Sequence, residues 1–147
     1  MYRIIQENPY RMAEDVTGVG FKIADEIAHR VGIHLDSDFR IRSGIMYVLQ
    51  QASLEGHTYL PEELLTRRAC ELLGVDASGV EKHYMDMAID RKLILKQSEA
   101  EVQIYASTFY YMELNVAVML RELNVKYDFS ETAVEQRIRK IEQLSEL

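Results

Sequence analysis

Val16-Thr17-Gly18-Val19-Gly20-Phe21-Lys22-Ile23-Ala24 is the stretch on which the fold turns. Upstream, Asn8 suits a helix N-cap and Pro9 the first helical position, so a short helix is expected from Pro9 to about Asp15. Two glycines one residue apart then interrupt it. Downstream, Phe21, Ile23, Ala24, Ile27, Ala28 and Val31 follow helical spacing until Gly32. The result is helix, tight turn, helix. Glycines in such a turn can take positive φ and bring backbone N–H groups to the surface at the start of the second helix. With the helix dipole, those amides attract an anion, and Lys22 adds a charge one turn in. A contact that touches only the backbone of a nucleic acid reads no sequence.

Beyond the turn, Asp36 to Asp38 can cap a third helix, along which Ile41, Ile45, Val48, Leu49 and Ala52 recur at helical spacing until Gly56. His57 to Leu60 alternates and is too short for a helix, so it reads as a small strand before a fourth helix that starts at Pro61 and ends near Gly74. Leu64, Leu65, Ala69, Leu72 and Leu73 make its apolar face, and Ser78 with Glu81 forms a capping box for a fifth helix with Val80, Tyr84, Met87 and Ala88 inward. Leu93 to Leu95, a polar turn, and Val102 to Tyr105 form a hairpin. Over residues 39–106 this is the element order of a winged helix. Two more helices follow, Tyr111 to Leu123 and one opened by a Thr132/Glu135 capping box with Val134, Ile138, Ile141 and Leu144 at heptad-like spacing. The expected fold is therefore mainly α: a helix-hairpin-helix element (1–38), a winged-helix-like unit with a small β-hairpin (39–106), and C-terminal helices (107–147).

The chain has 147 residues, with 17 Lys plus Arg against 24 Asp plus Glu, and 48% of it is hydrophobic. That composition suits a folded globular chain. The acidity, a net charge of −7, argues against a large surface that wraps nucleic acid but leaves room for a small contact. Residues 1–43 carry six basic and seven acidic side chains and are nearly neutral, so the acidity lies in the rest. The longest uncharged run, Ser43 to Leu54, has twelve residues, against about 20 for a membrane-spanning helix. A first decapeptide without an apolar core, and a single cysteine, Cys70, point to a cytoplasmic location.

Gly18, Val19, Gly20, Lys22 and Ala24 resemble the helix-hairpin-helix motif, in which an apolar-x-Gly-apolar-Gly core is followed by Lys and Ala. The segments Asn8-Pro9-Tyr10-Arg11-Met12-Ala13-Glu14-Asp15, Gly18 to Asp25 and Gly56-His57-Thr58-Tyr59-Leu60-Pro61 together resemble one family. It is the N-terminal accessory region of the long RecD-like DNA helicases, relatives of the exodeoxyribonuclease V alpha chain, and the likeness spans roughly residues 4–125. The resemblance implies a DNA-binding accessory module of an ATP-dependent 5′ to 3′ helicase that acts in DNA repair or recombination. It implies helicase motor domains in the same full-length chain, with ATP and Mg bound there and no cofactor in this region. No G-x-x-x-x-G-K-[ST] phosphate loop occurs in these 147 residues. The expected contacts are to DNA phosphates, single-stranded or forked, from Gly18, Val19, Gly20 and Lys22, with Arg11, Arg30 and Arg42 as weaker candidates.

Other chemistry finds little support. His29, His34, His57 and His83 are scattered, which disfavours zinc, and Asp86 and Asp90, one turn apart, read as a solvated face sooner than a cation site. Cys70 has no histidine beside it and reads as a structural thiol. Arg67-Arg68 and Arg91-Lys92 lie among acidic residues and read as solvated or protein-facing. Tyr105, Phe109, Tyr110 and Tyr111 read as a packing seam, since no Lys or Arg lies between Gln97 and Arg121 to draw in nucleic acid. The alternative function is an acidic scaffold that holds helicase domains or a partner, with a hairpin that binds nothing.

Overall fold

The computed structural model describes residues 8–12, 20–124 and 131–145. The chain divides into two compact units, Met1–Leu114 and Asn115–Leu147. In the first, α1 (Phe21–Val31) and α2 (Asp38–Leu54) are followed by β1 (Tyr59–Pro61), α3 (Glu62–Leu73), α4 (Ala77–Ile89), β2 (Leu93–Gln97) and β3 (Val102–Ala106). Helix α5 (Ser107–Leu123) starts in the first unit, and α6 (Glu131–Ser145) lies in the second.

Residues 8–12 open the way the Asn-Pro pair dictates. The Asn8 side chain accepts from the Tyr10 amide at 3.1 Å, and the Arg11 and Met12 amides bond to the Asn8 and Pro9 carbonyls. Helix α1 ends at Gly32, whose φ of 86° is the left-handed conformation that glycine tolerates. Ser37 caps α2, its hydroxyl accepting from the Arg40 amide at 3.3 Å. Pro61 and Gly74 bracket α3, as its sequence leads one to expect. The start of α4 differs from expectation: Asp76, not Ser78, is the N-cap, accepting from the Gly79 amide at 3.2 Å, while the Ser78 hydroxyl donates to the same carboxylate at 2.8 Å. An aspartate two residues upstream outcompetes the serine because a charged acceptor makes the stronger cap bond.

Helix α2 is the hub and packs against α1, α3, α4, β1 and β3. Its face of Ile41, Ile45, Val48, Leu49 and Ala52 is buried as its spacing requires. Leu65, Ala69, Leu73, Val80, Tyr84, Met87, Leu93 and Ile104 complete the core. Gly44 lets α3 come close: a Cβ there would lie 2.6 Å from a Leu73 methyl. The Tyr84 hydroxyl, buried with its ring, is satisfied by Thr66 Oγ1 at 2.9 Å. On α1 the apolar stripe is only half used, with Phe21, Ala24 and Ala28 buried while Ile23 and Val31 are exposed.

The sheet is antiparallel with order β1-β3-β2, so β1 lies beside the far strand of the hairpin. Leu60, Ile104 and Leu95 align across its inner face, and Tyr59, Tyr105 and Ile94 across the other. The expected strand at His57 to Leu60 thus starts two residues later and ends one later, at Pro61. The expected aromatic seam is present within the first unit: Tyr105 packs against Tyr59 and Tyr110, both with ring centroids 5.2 Å away, and Tyr110 against Tyr111. In the second unit Val116, Val118, Met119, Leu120 and Leu123 of α5 and Val134, Ile138, Ile141 and Leu144 of α6 are exposed. Among the described residues, no helix is long and apolar enough to cross a membrane.

Candidate nucleic-acid interface

Helix α1 begins at Gly20, which is exposed and extended, with φ −75° and ψ 165°. The sequence led us to expect a left-handed glycine; at Gly20 this is corrected, since a Cβ would meet nothing within 4 Å and the backbone suits any residue. Gly18 and Val19 lie outside the described residues. The Phe21 ring is buried and stacked between Tyr10 (5.8 Å) and Tyr47 (5.4 Å), which fixes the first residue of the helix in the core. Lys22, the next residue, is exposed.

This helix start differs from its neighbours. The first turn of α1 has no acidic residue and no side-chain cap. By contrast, α2 is capped by Ser37, α4 by the carboxylate of Asp76, and α3 carries Glu62 and Glu63 in its first turn. Among the starts of α1 to α4, only that of α1 therefore presents amides to an incoming anion without a resident acceptor or a repelling carboxylate.

Beneath this terminus lies a polar clasp that sequence reasoning missed. Asp25 accepts from the Tyr10 hydroxyl at 2.6 Å, from Arg40 Nε at 2.7 Å and from Arg40 Nη2 at 3.1 Å. Arg40 is buried at 6% exposure and spends its remaining nitrogen on the Leu35 and Leu73 carbonyls, at 2.9 and 2.8 Å. Burial pushes the Asp25 carboxyl up, but the bonds from Arg40 and Tyr10 outweigh it and hold the group below its ordinary range. Burial and the Asp25 contact push the Tyr10 hydroxyl far up, so it stays a donor. The clasp edges an open groove of about 220 Å³ that Lys22, His29, Ile33 and Leu35 also line. Its three members lie fifteen residues apart from one another in turn, beyond the reach of any periodicity. The usable signal was that Tyr10 and Asp25 each sit in one of the three segments that carry the family resemblance.

Of the other expected contacts, Arg11 is exposed on the first turn of its helix. Arg30 lies at the far end of α1 and pairs with Glu26 at 2.7 Å, so it is not gathered with Gly20 and Lys22. Arg42 spans α2 and α4: it donates to Asp90 at 3.0 Å, to Asp86 at 3.4 Å and to His83 Nδ1 at 3.4 Å. The cation that Asp86 and Asp90 share is thus a guanidinium. His83 is buried, its Nε2 makes no hydrogen bond, and Asp38 stands 3.5 Å away. Burial lowers its basicity, against the pull of Asp38. Cys70 is a half-buried free thiol, pushed up by burial and then by Asp76, Glu81 and Glu71, which disfavours the reactive thiolate.

Residues 1–59 match the family described as the ATP-dependent RecD2 DNA helicase HHH domain, where HHH stands for helix-hairpin-helix. The match covers the Tyr10–Asp25–Arg40 clasp and the uncapped start of α1 together. Residues 1–59 are thus similar to the helix-hairpin-helix domain of RecD2-type helicases.

Proposed function

We propose that this chain is a DNA-backbone-binding accessory module of an ATP-dependent 5′ to 3′ helicase, acting in DNA repair or recombination and delivering single-stranded or forked DNA to motor domains in the same longer protein. The observation that carries the reading is the start of α1, uncapped, free of acid and flanked by exposed Lys22. Gly20 and Lys22, with Gly18 and Val19 just before them, hold phosphate oxygens through backbone amides and one ammonium, so binding ignores base sequence. Arg11 and Arg30 are the weaker candidates for the contact, and Arg30 stands at the other end of α1.

The run α2-β1-α3-α4-β2-β3, with its sheet order β1-β3-β2, supports reading residues 39–106 as winged-helix-like. On α4, Met85 (69% exposed) and Ile89 (76% exposed) stand out between Glu81, Asp86 and Asp90. That apolar, acidic face favours protein contact over phosphate. The scaffold alternative therefore applies to this unit, while the helix-hairpin-helix region takes the DNA.

The test is fluorescence anisotropy of labelled single-stranded, duplex and forked DNA at low and physiological salt, with Gly20→Asp and Lys22→Glu variants. An aspartate at the N-cap keeps or raises the stability of α1 and places a carboxylate where the phosphate would sit. The expected result is salt-sensitive, sequence-independent binding that weakens about tenfold in each variant without loss of thermal stability. Equal binding by Gly20→Asp and the parent chain contradicts the reading.

A further inference from the structure

We propose that Tyr10, Asp25 and Arg40 are positioning residues for the DNA contact, locking the rotation of α1 so that Lys22 and the helix-start amides face one phosphate. This rests on the start of α1 being that contact. Beyond the stacked Phe21 ring, the buried side of α1 does little to set the rotation. Of its buried residues Phe21, Ala24 and Ala28, two are alanines, whose small methyls allow a neighbouring helix to slide and turn. A bidentate guanidinium–carboxylate pair is directional where apolar contact is not. Asp25 lies three residues after Lys22, on the same side of the helix, so fixing one fixes the other.

The remaining bonds of the clasp say what α1 is fixed against. Arg40 emerges from α2 and also holds the last carbonyl of α3, that of Leu73. The Tyr10 hydroxyl brings in the Asn8-Pro9 turn, and the Tyr10 ring also stacks on Phe21. Simple cohesion does not call for this arrangement, because a half-buried ion pair often contributes no more to stability than well-packed apolar residues of the same volume. What the pair adds is orientation. The helix-hairpin-helix region is thereby registered against the helix–strand unit, so a phosphate held at α1 has a defined place relative to α3.

The experiment measures affinity for a labelled forked DNA as a function of salt, using the 147-residue chain and its Arg40→Gln, Tyr10→Phe and Lys22→Glu variants. Circular dichroism gives the folded fraction of each. Loss of folded protein weakens binding equally at every salt, whereas loss of an aligned phosphate contact makes the slope of log affinity against log salt shallower by about one. We expect Arg40→Gln, where folded, to bind about tenfold more weakly at low salt with that shallower slope. Tyr10→Phe keeps the stacked ring and the fold, and should bind about threefold more weakly. A folded Arg40→Gln with the parent slope overturns the proposal, as does parental affinity in Tyr10→Phe should Arg40→Gln fail to fold. Parental affinity in Lys22→Glu overturns the phosphate reading itself, a distinct result from failure of the clasp alone.

Discussion

Arg40 and Arg42 leave the same helix two residues apart and meet opposite surroundings. At the α1 end of the first unit, Arg40 is buried, bidentate to Asp25 and committed to two carbonyls. At the α4 end, Arg42 is 31% exposed and lies over Asp86 and Asp90, which are themselves more than half exposed. The two ends also treat their helix starts differently. Helix α4 satisfies its own terminus with Asp76, while α1 leaves its terminus to solvent beside a lysine. The difference teaches that charge has to be weighed by where its partner sits. Among the starts of α1 to α4, that of α1 stays free of acid, and the next carboxylate along the helix, Asp25, is bonded to Arg40.

The largest expected effect breaks the comparison at its root. Arg40→Ala strands Asp25 and two carbonyls and should cost about 3 kcal/mol in urea unfolding, where Arg42→Ala should cost less than about 1 kcal/mol. Equal losses would mean that the clasp is no more structural than a surface pair. Next come two glycines. Gly44→Val drives a side chain into Leu73 and should cost about 1–3 kcal/mol, whereas Gly20→Ala, in open space and with an unstrained backbone, should lose only the N-cap preference for glycine, about 0.5–1 kcal/mol.

Smaller still is the pH dependence, which differs between the ends. Asp25 is held below its ordinary 3.8, so it binds fewer protons folded than unfolded; its stabilisation is present above that value and lost as pH falls through the lower folded value. His83 is also depressed, from an ordinary 6.5, by burial against the opposing pull of Asp38 and Asp86 and with Lys82 and Arg42 adding to it. Neutral His83 therefore favours the fold at pH above 6.5, and that advantage declines as pH falls through this value. Unfolding free energies between pH 8 and 5 should show a decline that His83→Phe removes and Asp25→Asn leaves in place. A decline unaffected by His83→Phe would place the titrating group elsewhere.

Much of the fold was legible because its determinants are local. The Asn8-Pro9 opening, the stops at Gly32 and Gly74, the α2 face from Ile41 to Ala52 and the hairpin at Leu93 to Ala106 each depend on neighbours within a few residues. The Asp76 cap was misassigned because two good caps lie two residues apart and compete. The clasp was illegible for a different reason. Tyr10, Asp25 and Arg40 are polar residues at long spacing, each indistinguishable in sequence from a solvated side chain until tertiary packing brings them to within 2.7 Å. The site was half legible: Gly20 and Lys22 stand together at the helix start as expected, but Arg30 and Arg42 proved committed to carboxylates of their own.

The most direct test of the contrast between the two ends is a titration of the ¹⁵N-labelled chain with a short forked DNA, followed by amide chemical shifts at low salt. The account predicts that the Gly20, Phe21 and Lys22 amides shift first and most, while Lys82, Met85 and Ile89 on α4 stay in place. Shifts concentrated on α4 and the β2–β3 hairpin, with the start of α1 unmoved, would contradict it.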